Sequence, residues 1–267
     1  MTKHFHALDR GPGLHELQGL SCERLGFAKL ALAAGDAHEG RLPEGREGLL
    51  VLLAGRARVV VDDVAFESVG ERANVFAGSP HSVYLPRGAR WRVEALAAME
   101  AALPTAPSQL DAAPYEIKPS AVRTGTWGTL NYTRHFREIL VQPDGRPAGG
   151  LIVGETLTPS GNWSTYPPHR HESADGTEMQ HEEIYYFRTA RPEGFGLLRH
   201  YSPERGFDET HTVRDDTLMS LPYGYHTYAC APGAQSYYLW FLAGDGRRQG
   251  VRLDPALAWT QNLVGMV

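Results

Sequence analysis

Apolar positions in this chain come in short bursts broken by glycine and proline, and almost nowhere at the three-to-four-residue spacing of an amphipathic helix. Residues 27–35 (FAKLALAAG) run apolar into a glycine, and 48–55 (GLLVLLAG) is a continuous apolar run closed by Gly55. Residues 56–63 (RARVVVDD) follow directly, with Val59, Val60 and Val61 in succession. Branching at Cβ restricts these side chains in a helix and suits a pleated surface, so strands are predicted here. Residues 73–78, 82–86 and 89–96 continue the series of strands, 94–103 (EALAAMEAAL) reads as a short helix, and 104–120, with four prolines, reads as a linker.

The pattern then restarts at 128–141, followed by a turn-rich loop over 143–150 and strands predicted over 151–159, 182–190, 194–202, 216–224 and 235–244. Near the end, Asp254 as a cap and Pro255 at a first helical position predict a short helix over 255–259. Both halves carry a late proline turn, SVYLPRG (82–88) and MSLPYGYH (219–226). Many short strands leave edges that closure into a barrel removes, so two antiparallel barrels are expected in preference to a single sandwich.

The composition has 29 Gly and 18 Pro in 267 residues, is 42% hydrophobic and carries a net charge of -5. This is a globular balance with no general attraction for nucleic acid or an anionic membrane. Cys22 and Cys230 form no CxxC pair and are expected as buried free thiols. The start, MTKHFHALDR, has no apolar signal segment, and no stretch is apolar for long enough to span a bilayer, so a cytoplasmic protein is expected.

Candidate chemistry concentrates in YPPHRHE (166–172). On a strand, His169 and His171 point to one face, whereas a helix would splay them. HEEIYYFR (181–188) offers carboxylates and LPYGYH (221–226) offers a third imidazole, His226. Three imidazoles and a carboxylate suit zinc, iron, manganese, cobalt or nickel and not calcium. Periodicity does not choose among Glu172, Asp175, Glu178, Glu182 and Glu183. His135, His200 and His211 read as structural or surface residues, and His181 stands beside the acidic pair.

WSTYPPHRHE (163–172), EEIYYFR (182–188), GFGLLRHY (194–201) and LPYGYHTYACAPG (221–233) together resemble the 5-deoxy-glucuronate isomerase family of inositol catabolism, which is related to the 5-keto-4-deoxyuronate isomerases. The likeness extends through 46–61 and 70–88. It implies an all-β bicupin of two antiparallel double-stranded β-helix (jelly-roll) barrels. The expected division is a degenerate N-terminal cupin over 1–110 with a short helical tail and a metal-binding cupin over 111–267. Carried onto this chain, the cupin pattern falls on His169, His171, Glu183 and His226. Glu183 lies twelve residues beyond His171, farther than cupins usually place it, which keeps Glu178 as an alternative ligand.

The resemblance further implies one divalent ion, zinc first and manganese or iron next, with no organic cofactor. It implies a small anionic sugar-acid substrate, 5-deoxy-D-glucuronate. Barrel faces often pair into symmetric dimers, so a homodimer or higher homo-oligomer is the expectation from general architecture. Proton transfer is expected from among Tyr185, Glu178 and His181, and Arg199 is expected to face inward and bind the substrate carboxylate. A cupin metal-dependent dioxygenase and a non-catalytic sugar-binding bicupin are the competing expectations.

Overall fold

Strands apolar on both faces need a layer on each side, whereas strands apolar at alternate residues need only one. Arg46–Ala54 and Ser236–Gly244 are buried almost throughout, and Ala57–Val61 and Arg90–Ala95 alternate buried with partly exposed residues. The computed structural model, which describes residues 4–142 and 145–266, places the two kinds accordingly.

In the first barrel a four-stranded sheet (Ala37–Arg41, Arg90–Ala95, Ala57–Val61, Val64–Val69) faces a six-stranded one (Tyr115–Ile117, Ser82–Leu85, Arg46–Ala54, Met99–Pro107, Gly26–Leu32, Gly13–Glu16). In the second, a five-stranded sheet (Phe207–Val213, Gly196–Ser202, Tyr225–Cys230, Trp163–Arg170, Arg252–Leu253) faces a seven-stranded one (Phe5–Ala7, Thr217–Leu221, His181–Thr189, Ser236–Gly244, Ile152–Thr158, Arg134–Leu140, Arg123–Trp127). Every pairing is antiparallel. One core fills the first barrel with Leu30, Leu50, Leu52, Val59, Val61 and Val93, and a second, richer in Tyr, Phe and Trp, occupies the other barrel. The third and largest joins the outer faces of the two large sheets through Phe27, Leu49, Val51, Val153, Ile184 and Phe241. The all-β, two-barrel expectation therefore holds.

Several local expectations do not. Residues 94–103 form no helix: Arg90–Ala95 and Met99–Pro107 are strands, with Ala95 and Ala101 packed inside the first barrel and Ala102 in the core between the barrels. The 104–120 segment is not a free linker, since Met99–Pro107 runs into it and Tyr115–Ile117 pairs with Ser82–Leu85. Residues 73–78 form turns, and 255–257 is a turn leading into a 3-10 helix, Ala258–Met266, although the Oδ1 of Asp254 does accept the N–H of Ala256. Pro143 and Asp144 of the 143–150 loop lie outside the described residues. A division at 110/111 also does not separate the barrels, because Phe5–Ala7 pairs with Thr217–Leu221 of the second. No helix among the described residues is long and apolar enough to cross a membrane.

Buried ion pairs tie the barrels together around the shared core. The guanidinium of Arg72 donates to both oxygens of Glu155 (3.0 and 2.6 Å), which also accept from Tyr237 and Arg137. Lys29 reaches Asp216 at 2.7 Å, and Glu47 accepts the N–H groups of Gly149, Gly150 and Leu151 at 2.7–2.8 Å. Removing one partner strands the other charge in a dry interface. Arg72→Met is expected to destabilise the protein by about 2–4 kcal/mol, read from urea unfolding, with Arg137 retaining part of the compensation for Glu155.

Candidate metal centre

The cluster forms where the two sheets of the second barrel face each other. Trp163–Arg170 brings His169 opposite His226 of Tyr225–Cys230 in the smaller sheet. The two prolines of Trp163–Arg170 are accommodated at a register break between Ser164 and His169, where their missing N–H groups cost no ladder bond. His171 follows at the end of the strand, two residues on and towards the same interior. The turn before His226 requires Gly224, whose φ is +82° and where a Cβ would come within 2.9 Å of the Tyr201 carbonyl oxygen. Glu183 arrives from the facing sheet, on His181–Thr189.

The four side chains place their donor atoms within 4.8 Å of one another. Oε2 of Glu183 lies 3.0 Å from Nε2 of His171 and 3.1 Å from Nε2 of His226. Ligand atoms bound about 2.0–2.2 Å from a common ion lie roughly 3–3.5 Å apart, so these spacings already match a shared ion. Nδ1–H of His171 donates to the carbonyl of His181 at 2.7 Å, which turns Nε2 towards the cluster. Nε2 of buried His226 makes no hydrogen bond among the described residues, and such an orphaned acceptor suits a metal ligand. The four residues can therefore hold a divalent cation.

Burial works against charge here, yet the hydrogen bond from His171 and the surrounding imidazoles hold the Glu183 carboxyl far below the usual carboxylate range. Burial, then its two neighbouring imidazoles, keeps His169 neutral. For His171, burial is outweighed by the bond to Glu183, and its pKa rises above the ordinary value.

Neighbouring carboxylates are occupied elsewhere. Glu182 points out of the barrel and accepts the N–H groups of Glu23 and Arg24 at 2.9 and 2.8 Å. Glu178 is fully buried but does not reach the cluster: it accepts the N–H groups of Glu172 and Ser173 and the Nε–H of Arg252, pinning the long loop between His171 and His181. It is thus neither the fourth donor nor a cavity group. His200, paired in register with His226, is turned to the carbonyl of Tyr223 at 2.6 Å. Cys22 and Cys230 are free and buried.

A cavity of about 480 Å³ opens onto the cluster, a size within the roughly 300–1,000 Å³ typical of small-ligand sites. His169, His171, His181, Glu183 and Tyr185 line it, with Trp127, Tyr132, Tyr166, Tyr238 and Trp240 as aromatic walls. Trp240 lies across Gly154, where a Cβ would meet its ring at 2.2 Å, and its Nε1–H donates to Thr156. Arg199 is absent from this lining. Its guanidinium makes two bonds to Asp208, at 2.8 and 2.7 Å, and lies over Tyr201, because on Gly196–Ser202 it alternates outward with exposed Leu197. The cationic side chain in the cavity is Arg134 instead. Nothing in its local sequence, TRHFRE, distinguished it from Arg137.

The KduI/IolB family matches residues 13–260 of this chain. The chain is 36% identical over 239 residues to the 5-deoxy-glucuronate isomerase of Geobacillus thermodenitrificans (strain NG80-2), covering 89% of this chain and 86% of that protein. An IolB-like protein from Salmonella typhimurium LT2 superposes with a TM-score of 0.90 at 32% identity, over 97% of this chain and 99% of that one. A Bacillus subtilis oxalate decarboxylase variant superposes at 0.65 with 11% identity, over 95% and 80%, a likeness of fold alone.

Two outcomes are expected. Glu183→Gln and His226→Ala should each lose bound metal by elemental analysis, whereas Arg199→Gln should keep a full complement. An ion must also displace the proton that His171 shares with Glu183, so as pH falls through the raised pKa of His171 the affinity of the apo-protein should weaken about tenfold per unit, with about one proton released per ion in titrations at several buffers.

Proposed function

The chain belongs to the KduI/IolB family, and on that premise we propose that it is a metal-dependent aldose–ketose isomerase that converts 5-deoxy-D-glucuronate to 5-dehydro-2-deoxy-D-gluconate in inositol catabolism, in the cytoplasm. The observation that carries the reading is the convergence of His169, His171, Glu183 and His226, the first three of which line a cavity sized for a small organic acid. In this reaction C1 passes from aldehyde to hydroxymethyl, C2 becomes the ketone and the carboxylate is untouched. Hydrogen moves within the molecule, so no redox cofactor is required.

A divalent ion held by these four residues, zinc first by donor set and manganese or iron next, would act as a Lewis acid towards the carbonyl and the neighbouring hydroxyl, acidifying the C2 hydrogen. The chain must then take a proton from C2 and return one to C1. His181 suits this role. Its Nε2–H donates to the Gly246 carbonyl at 3.0 Å, leaving Nδ1 with the lone pair, and burial lowers its pKa so that the ring stays neutral. The phenol of Tyr185 is pushed well up by burial and by the charge of Glu183, so it keeps its proton and suits donation to a substrate oxygen.

The test is conversion of 5-deoxy-D-glucuronate to a product of unchanged mass. Turnover should vanish on chelation, return with a divalent ion and persist without dioxygen. His181→Gln should lower kcat by about 10²–10⁴-fold while retaining metal. An absolute need for dioxygen, or ligand binding without turnover in the metal-loaded protein, would overturn the reading.

A further inference from the structure

Several other buried and half-buried arginines of this chain are committed to carboxylate partners. Arg72 is locked to Glu155, Arg188 to Glu100 and Asp215, and Arg170 to Glu172 and Glu204. Arg134 differs. It lines the cavity of the cluster, where it is the sole arginine or lysine among the described residues. Its guanidinium carbon stands 5.3 Å over the ring of Trp127, its partner in register on the neighbouring strand, and it has no carboxylate or carbonyl partner among the described residues. A planar fork of donors, steadied by an aromatic face but without an anion, is half of a bidentate carboxylate site.

The chemistry of the substrate class supplies the other half. A uronate carries its carboxylate and its aldehyde at opposite ends of a six-carbon chain, so one guanidinium and one metal cluster in a single cavity hold both ends without competing. Without such an anchor the carboxylate, the stronger ligand, would compete for the ion. Resting on the isomerase reading, we propose that Arg134 is the specificity-determining residue of this site: it pairs with the C6 carboxylate of the open-chain substrate and thereby presents C1 and C2 to the cluster.

The experiment compares wild type with Arg134→Gln and Arg134→Lys, all metal-loaded and checked for equal metal content. The substrates are 5-deoxy-D-glucuronate and 5-deoxy-D-glucose, which share a chain and differ in carboxylate against hydroxymethyl at C6. The ratio of kcat/KM for the acid over the neutral sugar should fall about a hundredfold in Arg134→Gln, mainly through KM for the acid. Arg134→Lys should recover only part, because a point charge does not reproduce the fork.

A second readout needs no turnover: binding of D-gluconate, followed by calorimetry and by quenching of tryptophan fluorescence, should weaken at least about tenfold in Arg134→Gln. An unchanged ratio with equal loss on both sugars, as expected were the carboxylate bound at the metal, overturns the assignment. So does gluconate bound no better by wild type than by Arg134→Gln. Arg134-dependent gluconate binding in a protein that isomerises neither sugar would instead sink the isomerase reading and leave the carboxylate site standing.

Discussion

A single carboxylate, Glu183, projects from one sheet of the second barrel into three imidazoles carried by the other sheet. An ionised carboxylate buried this deeply is costly unless compensated. Here the main compensation comes from His171 and His226 across the barrel, so the arrangement depends on the two sheets keeping their separation and register. The opposition of His169 to His226, the turn at Gly224 and the bond from His171 to the His181 carbonyl each hold one part of that geometry.

The two barrels divide the work. The first is packed densely with Leu and Val. The second replaces much of that filling with aromatic and polar side chains, and so can keep a cavity. A barrel with a hollow loses packing contacts, and the apolar contact between the outer faces of the large sheets, pinned by Arg72–Glu155, Lys29–Asp216 and Glu47, offsets that loss. Glu178 serves the same end locally: its buried bonds shape the long loop so that His181 returns beside His171.

Charge is arranged in two separate places around the cavity. Glu183 and its imidazoles can hold a cation, and Arg134 against Trp127 is the proposed place for an anion. A sugar acid carries both needs on one short chain, which links the fold of the second barrel to a substrate class without reference to any single stereocentre.

Much of this was legible beforehand because strand periodicity and turn chemistry are local. The continuous run at 48–55 already read as a buried strand, and HxH with a later turn histidine already offered three imidazoles, which the family resemblance assigned to one site. Periodicity left Glu182 against Glu183 open because both fit a strand; the family resemblance pointed to Glu183, and the structure turns Glu182 to the opposite face, where it caps the backbone of Glu23 and Arg24. Arg199 was expected to face inward and Arg134 was not singled out, for one reason: alternation tells which residues share a face, and only the sheet-on-sheet packing tells which face is inside. The helix expected over 94–103 failed because alanine's helix propensity yields to strand pairing that buries Ala95, Ala101 and Ala102. The amino-acid sequence by itself determined the strands, the turns and the donor types. The tertiary structure decided which faces meet, because contacts between sheets depend on residues far apart along the chain, whose orientation no local pattern records.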